Sequence, residues 1–173
     1  MITFTLLKKE HFPLLLKWLE APHVKLWWDK DIHWTIELIE RKYSDYTKRF
    51  KRLVPATETI EKPMHAFIIN FNEVNIGYIQ YYSKHDFPPT IPHLPESCAA
   101  IDWYIGEPAY IGRGIGTQVL SIFLDEFVFK NFEYAFIDSN TSNIGAIRVY
   151  EKAGFKKIRE DSDVTLMLKR ACS

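Results

Sequence analysis

The chain has 173 residues, 47% of them hydrophobic, with 22 basic and 22 acidic residues and a formal net charge of zero. That length and apolar content suit one domain with a sizeable core, and zero net charge excludes the overall basic field that nucleic acid or an anionic membrane would select. No apolar run reaches the ~18 residues of a membrane span, the start MITFTLLKKEHF lacks the signal-peptide pattern, and two cysteines with six scattered histidines show no metal-ligand spacing. A soluble cytoplasmic protein without a metal is therefore expected. Taken in chain order, ITFTLL alternates and predicts a strand, with Ile2, Phe4 and Leu6 on one face. EHFPLLLKWLEAP predicts a short helix, with Pro13 in its first turn and Pro22 just beyond its end. VKLWWDKDIHW reads as a Trp-rich loop, and TIELIERKYSDYTKRF as a helix capped by Thr35 with a stripe through Leu38, Ile39, Tyr43, Tyr46 and Phe50. The basic cluster KRFKRL, residues 48–53, reads as the solvated end of that helix.

HAFIINFNEVNIGYIQYY predicts a β-hairpin turning at NEVN, with Gly77 marking a bulge or a close backbone approach. SKHDFPPTIPHLPES carries four of the nine prolines and predicts an irregular surface loop covering something beneath it. AAIDWYI predicts a buried strand, followed by a helix from about Gly114 to Phe129 and a strand at YAFIDS. SNIGAIRVYEKAG predicts a helix capped by Ser142 or Asn143 and stopped by Gly154. FKKI and VTLMLK close the chain as strands. The order β-α-α-β-β-β-α-β-α-β-β implies an α/β (α+β) fold in one domain, residues 1–173, with a mixed sheet and helices on both faces.

Three of the seven glycines, Gly112, Gly114 and Gly116, alternate where a helix should begin. A helix start carries unpaired N–H groups and partial positive charge, and a glycine turn lets phosphates approach them. The dinucleotide fingerprint fails because position 117 is Thr, and no Walker Gly-Lys-Ser/Thr is present. A tight strand-to-helix turn with no ligand explains the glycines alone nearly as well as an anion site does.

A second stretch, DSNTSNIGAIRVYEKAGF, gives the first its meaning. Together the two resemble the GNAT acetyltransferase superfamily, whose pyrophosphate motif Gln/Arg-x-x-Gly-x-Gly/Ala falls on Ile111, Gly112, Arg113, Gly114, Ile115 and Gly116, with Ile111 departing from the usual Gln or Arg. The motif N-x-x-A-x-x-x-Y-E-K-x-G-F matches from Asn143 through Ala146 and Tyr150 to Phe155 without a gap. With HVKLWWDKD and NIGYIQYY, nearly the whole chain is similar to the aminoglycoside 6′-N-acetyltransferases of the amikacin- and kanamycin-modifying type. Acetyltransferases of siderophore assembly, which act on a hydroxylysine-type side chain, share much of the pattern. The resemblance implies acetyl-CoA as cofactor and a small-molecule amine as partner, with no nucleic acid, no membrane and a monomer or weak homodimer.

Acetyl transfer to an amine needs a held acyl-CoA, a neutral amine, a stabilised oxyanion and a proton for the leaving thiolate. A primary amine has a pKa of roughly 10 and arrives charged at neutral pH. Asp102 interrupts an apolar strand and is the candidate to bind the ammonium and accept its proton. An Asp paired with a buried Arg is the plain alternative. Asp138 lies at a strand end, where ligand crevices form; the resemblance implies that it also holds substrate amines, and a turn-capping Asp is its alternative. The resemblance makes Tyr150 the proton donor; on its own it reads as a core aromatic. It also places backbone N–H groups near Trp103, Tyr104 and Ile105 at the oxyanion, and Gly112, Arg113, Gly114, Ile115, Gly116 and Thr117 at the pyrophosphate. Asn143 reads as the cap of its helix and is expected also at the pantetheine arm. Trp27 and Trp28 read equally as a stacking wall for the substrate or as helix packing, and Tyr81 as lining on the acceptor side. An acyl-CoA-binding module without catalysis, or an acetylase of protein N-termini, are the remaining alternatives.

Overall fold

A computed structural model describes residues 1–53 and 59–172. Its strands are β1 (Ile2–Leu6), β2 (Phe50–Leu53), β3 (Ile60–Pro63), β4 (His65–Phe71), β5 (Val74–Ser83), β6 (Cys98–Ile105), β7 (Tyr134–Asn140), β8 (Lys156–Glu160) and β9 (Val164–Arg170). Its helices are α1 (Phe12–Glu20), α2 (Pro22–Lys25), α3 (Ile36–Tyr43), α4 (Ile115–Phe123) and α5 (Ile144–Lys152). Seven strands form one mixed sheet in the order β1-β4-β5-β6-β7-β9-β8, while β2 and β3 form a separate antiparallel pair. The fold is the expected α/β arrangement of a mixed central sheet flanked by helices.

The described residues fall into two compact units. The first comprises residues 1–80 and 103–110. Here α1 places Leu15, Trp18 and Leu19 wholly in the core, and α3 adds Ile39 and Tyr43. Thr35 caps α3 by accepting from the Leu38 N–H. Its hairpin turns at Asn72 and Glu73, both with positive φ (48° and 67°), as a tight two-residue turn requires. Pro22 lies past the end of α1, as expected, but opens α2, so Val24 and Lys25 are helical rather than part of the Trp-rich loop.

The long helix expected through Phe50 stops at Tyr43. A single 3₁₀ turn follows, and Arg49 then takes a left-handed conformation (φ 67°) that reverses the chain. Phe50–Leu53 thus run as strand β2 against β3, with Arg52 opposite Glu61, and the basic cluster is a hairpin arm, not a helix end. Its alternation of Phe50, Arg52 and Lys51, Leu53 fits a two-residue period as well as a helical one, and so short a run cannot discriminate between them.

The second unit comprises residues 81–102 and 111–172. One set of alternate strand residues, Cys98 and Ala100 on β6, Phe136 on β7 and Leu166 on β9, forms a buried cluster. Ile91 and Leu94 of the Pro-rich segment lie against it, so that segment does cover apolar surface, as its prolines implied. α4 buries Ile115, Val119, Leu120 and Phe123, then continues as a π-helical turn, Leu124–Val128. Gly154 (φ 93°) ends the α5 segment in the left-handed region that glycine tolerates.

Candidate active site

Strands β6 and β7 run parallel and pair at Cys98 with Tyr134, Ala99 with Ala135 and Ala100 with Phe136. The ladder goes no further, although β6 continues to Ile105 and β7 to Asn140. Had the register held, Asp102 would face Asp138. Both therefore stand where two parallel strands part, on the face that carries Ala100 and Phe136. Parted strands leave backbone groups and side chains available to a ligand, and carboxyl ends of strands are where α/β sheets place their sites.

The two carboxylates sense each other. Asp138 is exposed, yet protein atoms crowd it, and that desolvation is the first cause raising its pKa above the ordinary carboxylate range. The Asp102 charge adds to the rise, while Lys84 and a backbone hydrogen bond oppose it. Lys84 has no precedent in the sequence patterns. Nothing in SKHDF distinguishes a buried lysine from a solvated one, and only its 6% exposure reveals it.

The glycine loop immediately precedes α4, with Gly114 as the helix N-cap. Gly112 and Gly114 hold φ of 74° and 76°, and a Cβ added at either would meet nothing within 4 Å. The chain's own packing does not explain that space. No N-cap side chain accepts from the first-turn N–H groups of α4. Arg113 is exposed between the two glycines. Backbone of this shape, with a basic side chain beside it, fits the pyrophosphate of coenzyme A.

Asn143 caps α5, accepting from the Ala146 N–H at 3.2 Å. Tyr150 on α5 is buried, its ring 6.3 Å from that of Phe155. Tyr81 is buried with its ring edge-on to Phe123 and Phe132. In the other unit, Trp28 stands edge-on to Tyr78 and Tyr104, whereas Trp27 is 44% exposed. Tyr104 stacks on Tyr78 at 5.6 Å. Its hydroxyl and the Trp103 Nε1 are buried without a hydrogen-bond partner. Burial, then the Asp29 charge, pushes the Tyr104 phenol far above its ordinary value. Ile105 offers its carbonyl to His23 at 3.2 Å.

A model of the acetyltransferase (GNAT) domain matches residues 8–162. The chain belongs to the GNAT acetyltransferase family. It is accordingly an acyltransferase, and acetyl-CoA is the acyl donor its family uses. Among curated relatives, the type 1 aminoglycoside N(6′)-acetyltransferases of Klebsiella pneumoniae and Serratia marcescens are each 26% identical over 167 residues, covering 90% of this chain and 74% of theirs. Among solved structures, the aminoglycoside acetyltransferase AAC(6′)-Ib in complex with coenzyme A matches with a TM-score of 0.78 at 22% identity, over 98% of this chain and 95% of that one. An aminoglycoside N(6′)-acetyltransferase from Legionella pneumophila matches with a TM-score of 0.67 at 21% identity, over 96% and 90%. In this GNAT chain the glycine loop, the Asn143 cap and the parted strands keep the order in which the two motifs appear along the sequence.

Proposed function

We propose that this acetyltransferase modifies a primary amine of a small polycationic substrate, the 6′-amino group of an aminoglycoside. The observation that carries the reading is the pair Asp102 and Asp138 at the point where β6 and β7 part. Two carboxylates that repel one another gain from a ligand bringing positive charge. The names of the curated relatives and of the solved neighbours support an aminoglycoside as that ligand.

Bound acetyl-CoA supplies an acetyl group activated as a thioester. The backbone N–H groups of Gly112, Arg113, Gly114, Ile115, Gly116 and Thr117 hold its pyrophosphate, and Arg113 adds charge. Asn143 and Ala146, at the start of α5, flank its pantetheine arm. Asp102 binds the substrate ammonium and takes its proton, so that a neutral amine is presented. Asp138 anchors a second amine. The Tyr150 hydroxyl holds and gives up a proton on the acyl-donor side. Backbone N–H groups of Trp103, Tyr104 and Ile105 serve the developing negative oxygen. Trp27, Trp28 and Tyr81 provide the substrate's apolar walls. The chain acts in the cytoplasm as one domain over residues 1–173, a monomer or weak homodimer without nucleic-acid or membrane partners. Among the described residues no helix is long and apolar enough to cross a membrane.

The test is thiol release from acetyl-CoA, with mass analysis of products, against kanamycin-type aminoglycosides, hydroxylysine, spermidine and a short peptide. Mono-acetylation of the aminoglycosides alone is expected. Turnover on hydroxylysine instead, or coenzyme A binding with no turnover at all, overturns the reading.

A further inference from the structure

Lys84 is the one buried lysine among the described residues, at 6% exposure. Its ammonium donates to two backbone carbonyls of the Pro-rich segment, Phe87 at 3.1 Å and Pro89 at 2.7 Å. It also lies 5.9 Å from the centre of the Phe136 ring. Phe136 and Asp138 are two apart on β7 and so share a face, which puts the ammonium on the carboxylates' side of the sheet. A buried ammonium is costly unless hydrogen-bonded and paired. Two carbonyls accept hydrogen bonds from two of its three N–H groups, and a charge in that setting is fixed in place rather than swinging on a flexible stem.

We propose that Lys84 is a positioning residue for the acceptor site: it ties the Pro-rich segment down over β6 and β7 and sets a fixed cation facing Asp138. The segment's Ile91 and Leu94 already rest on the Cys98, Ala100, Phe136 and Leu166 cluster. Lys84 fastens its other end. Of the groups facing Asp138, Asp102 on β6 raises its pKa and Lys84 lowers it. Burial pushes the Cys98 thiol up to about 11 against the opposing Lys84 charge, so that thiol is neutral. His85 and Asp86 share the turn of Lys84; His85 hydrogen-bonds the Pro95 carbonyl and so ties the same segment again. The local sum of Asp102, Asp138 and Lys84 is one net negative charge instead of two. The site then selects amines by where their charges fall as well as by how many they carry.

The role rests on the proposed acceptor function of Asp138, and the first readout is chosen to be independent of it. The Asp138 carboxyl carbon is followed by NMR against pH in the free protein and in Lys84→Gln and Lys84→Arg. Gln keeps a donor for the carbonyls and drops the charge; Arg keeps the charge. The midpoint for Asp138 is expected to rise by about one pH unit in Lys84→Gln and to return toward the parent in Lys84→Arg. An unmoved midpoint in Lys84→Gln, or equal shifts in both variants, overturns the proposal whatever the substrate proves to be. With a kanamycin-type aminoglycoside as acceptor, the lost placement of the segment in Lys84→Gln should outweigh the extra attraction of an uncompensated carboxylate and raise the KM of the amine roughly tenfold with little change in kcat. Loss of kcat at unchanged KM would count against positioning. Should Lys84→Gln fold poorly, Lys84→Met read by the same titration replaces it.

Discussion

Asp138 is a carboxylate whose ionisation the fold opposes. Its pKa is raised by crowding and by Asp102, so the folded chain holds a proton there at a pH where the unfolded chain has released it. The penalty is fully present above the folded value and disappears as pH falls through it toward the ordinary carboxylate value. Asp138→Asn is therefore expected to raise the melting temperature at neutral pH, with the gain vanishing in acid, as differential scanning calorimetry at several pH values would record. On the proposed anchoring role, the same change should weaken amine binding while it gains stability. In that proposed role the ionised carboxylate is the form that would bind an ammonium, so the KM of the amine should climb as pH drops through the raised value. Asp102→Asn should cut turnover by about 10²-fold while acetyl-CoA still binds; wild-type rates in that variant would remove its role. Glu107 shows the opposite shift in a structural setting. Hydrogen bonds from Lys17 and Trp18 hold its carboxyl below the ordinary range, and the stability it lends is lost only in acid.

Among the elements, the glycines separate packing from ligand binding. A Cβ at Gly106 would lie 2.2 Å from Trp18, whose ring is wholly buried and held by Glu107. Gly106→Ala should cost about 1–3 kcal/mol in urea unfolding, because the indole has nowhere to go. At Gly112 the same Cβ meets open space and only the φ of 74° resists it. Gly112→Ala should cost about 1 kcal/mol and yet weaken coenzyme A binding, which calorimetric titration would measure; unchanged affinity would place the pyrophosphate elsewhere. Asn143→Ala should lose about 1 kcal/mol through the α5 cap. Most elements were legible because they carry their own signals: alternation in β1, Thr35 and Asn143 as caps, Gly154 as a stop. Gly77 was legible as a close approach, and a Cβ there would indeed lie 2.3 Å from the Tyr104 carbonyl oxygen. The β2–β3 pair was not, since four-residue strands have too few repeats to show a period and depend on partners distant in the chain.

For the whole molecule, zero net charge means that attraction for a polycation must come from the local carboxylates. Screening over a Debye length of about 8 Å acts on such a pair only partly. The KM of an aminoglycoside should rise with salt in the parent and more gently in Asp138→Asn, as steady-state rates at graded ionic strength would show; parallel slopes would deny Asp138 its electrostatic part. The sequence alone determined the two motifs, the cap and stop of α5, the glycine turn before α4 and the order of strands and helices around them. Each is a matter of neighbours along the chain, where periodicity, φ preference and capping act within a few residues. Only the tertiary structure decided that β6 and β7 part beyond Ala100 and Phe136, that Trp18 fills the space at Gly106, and that Lys84 is buried on the side of Asp138. Those follow from strand register and burial, which bring together residues that carry no mark of one another in the sequence.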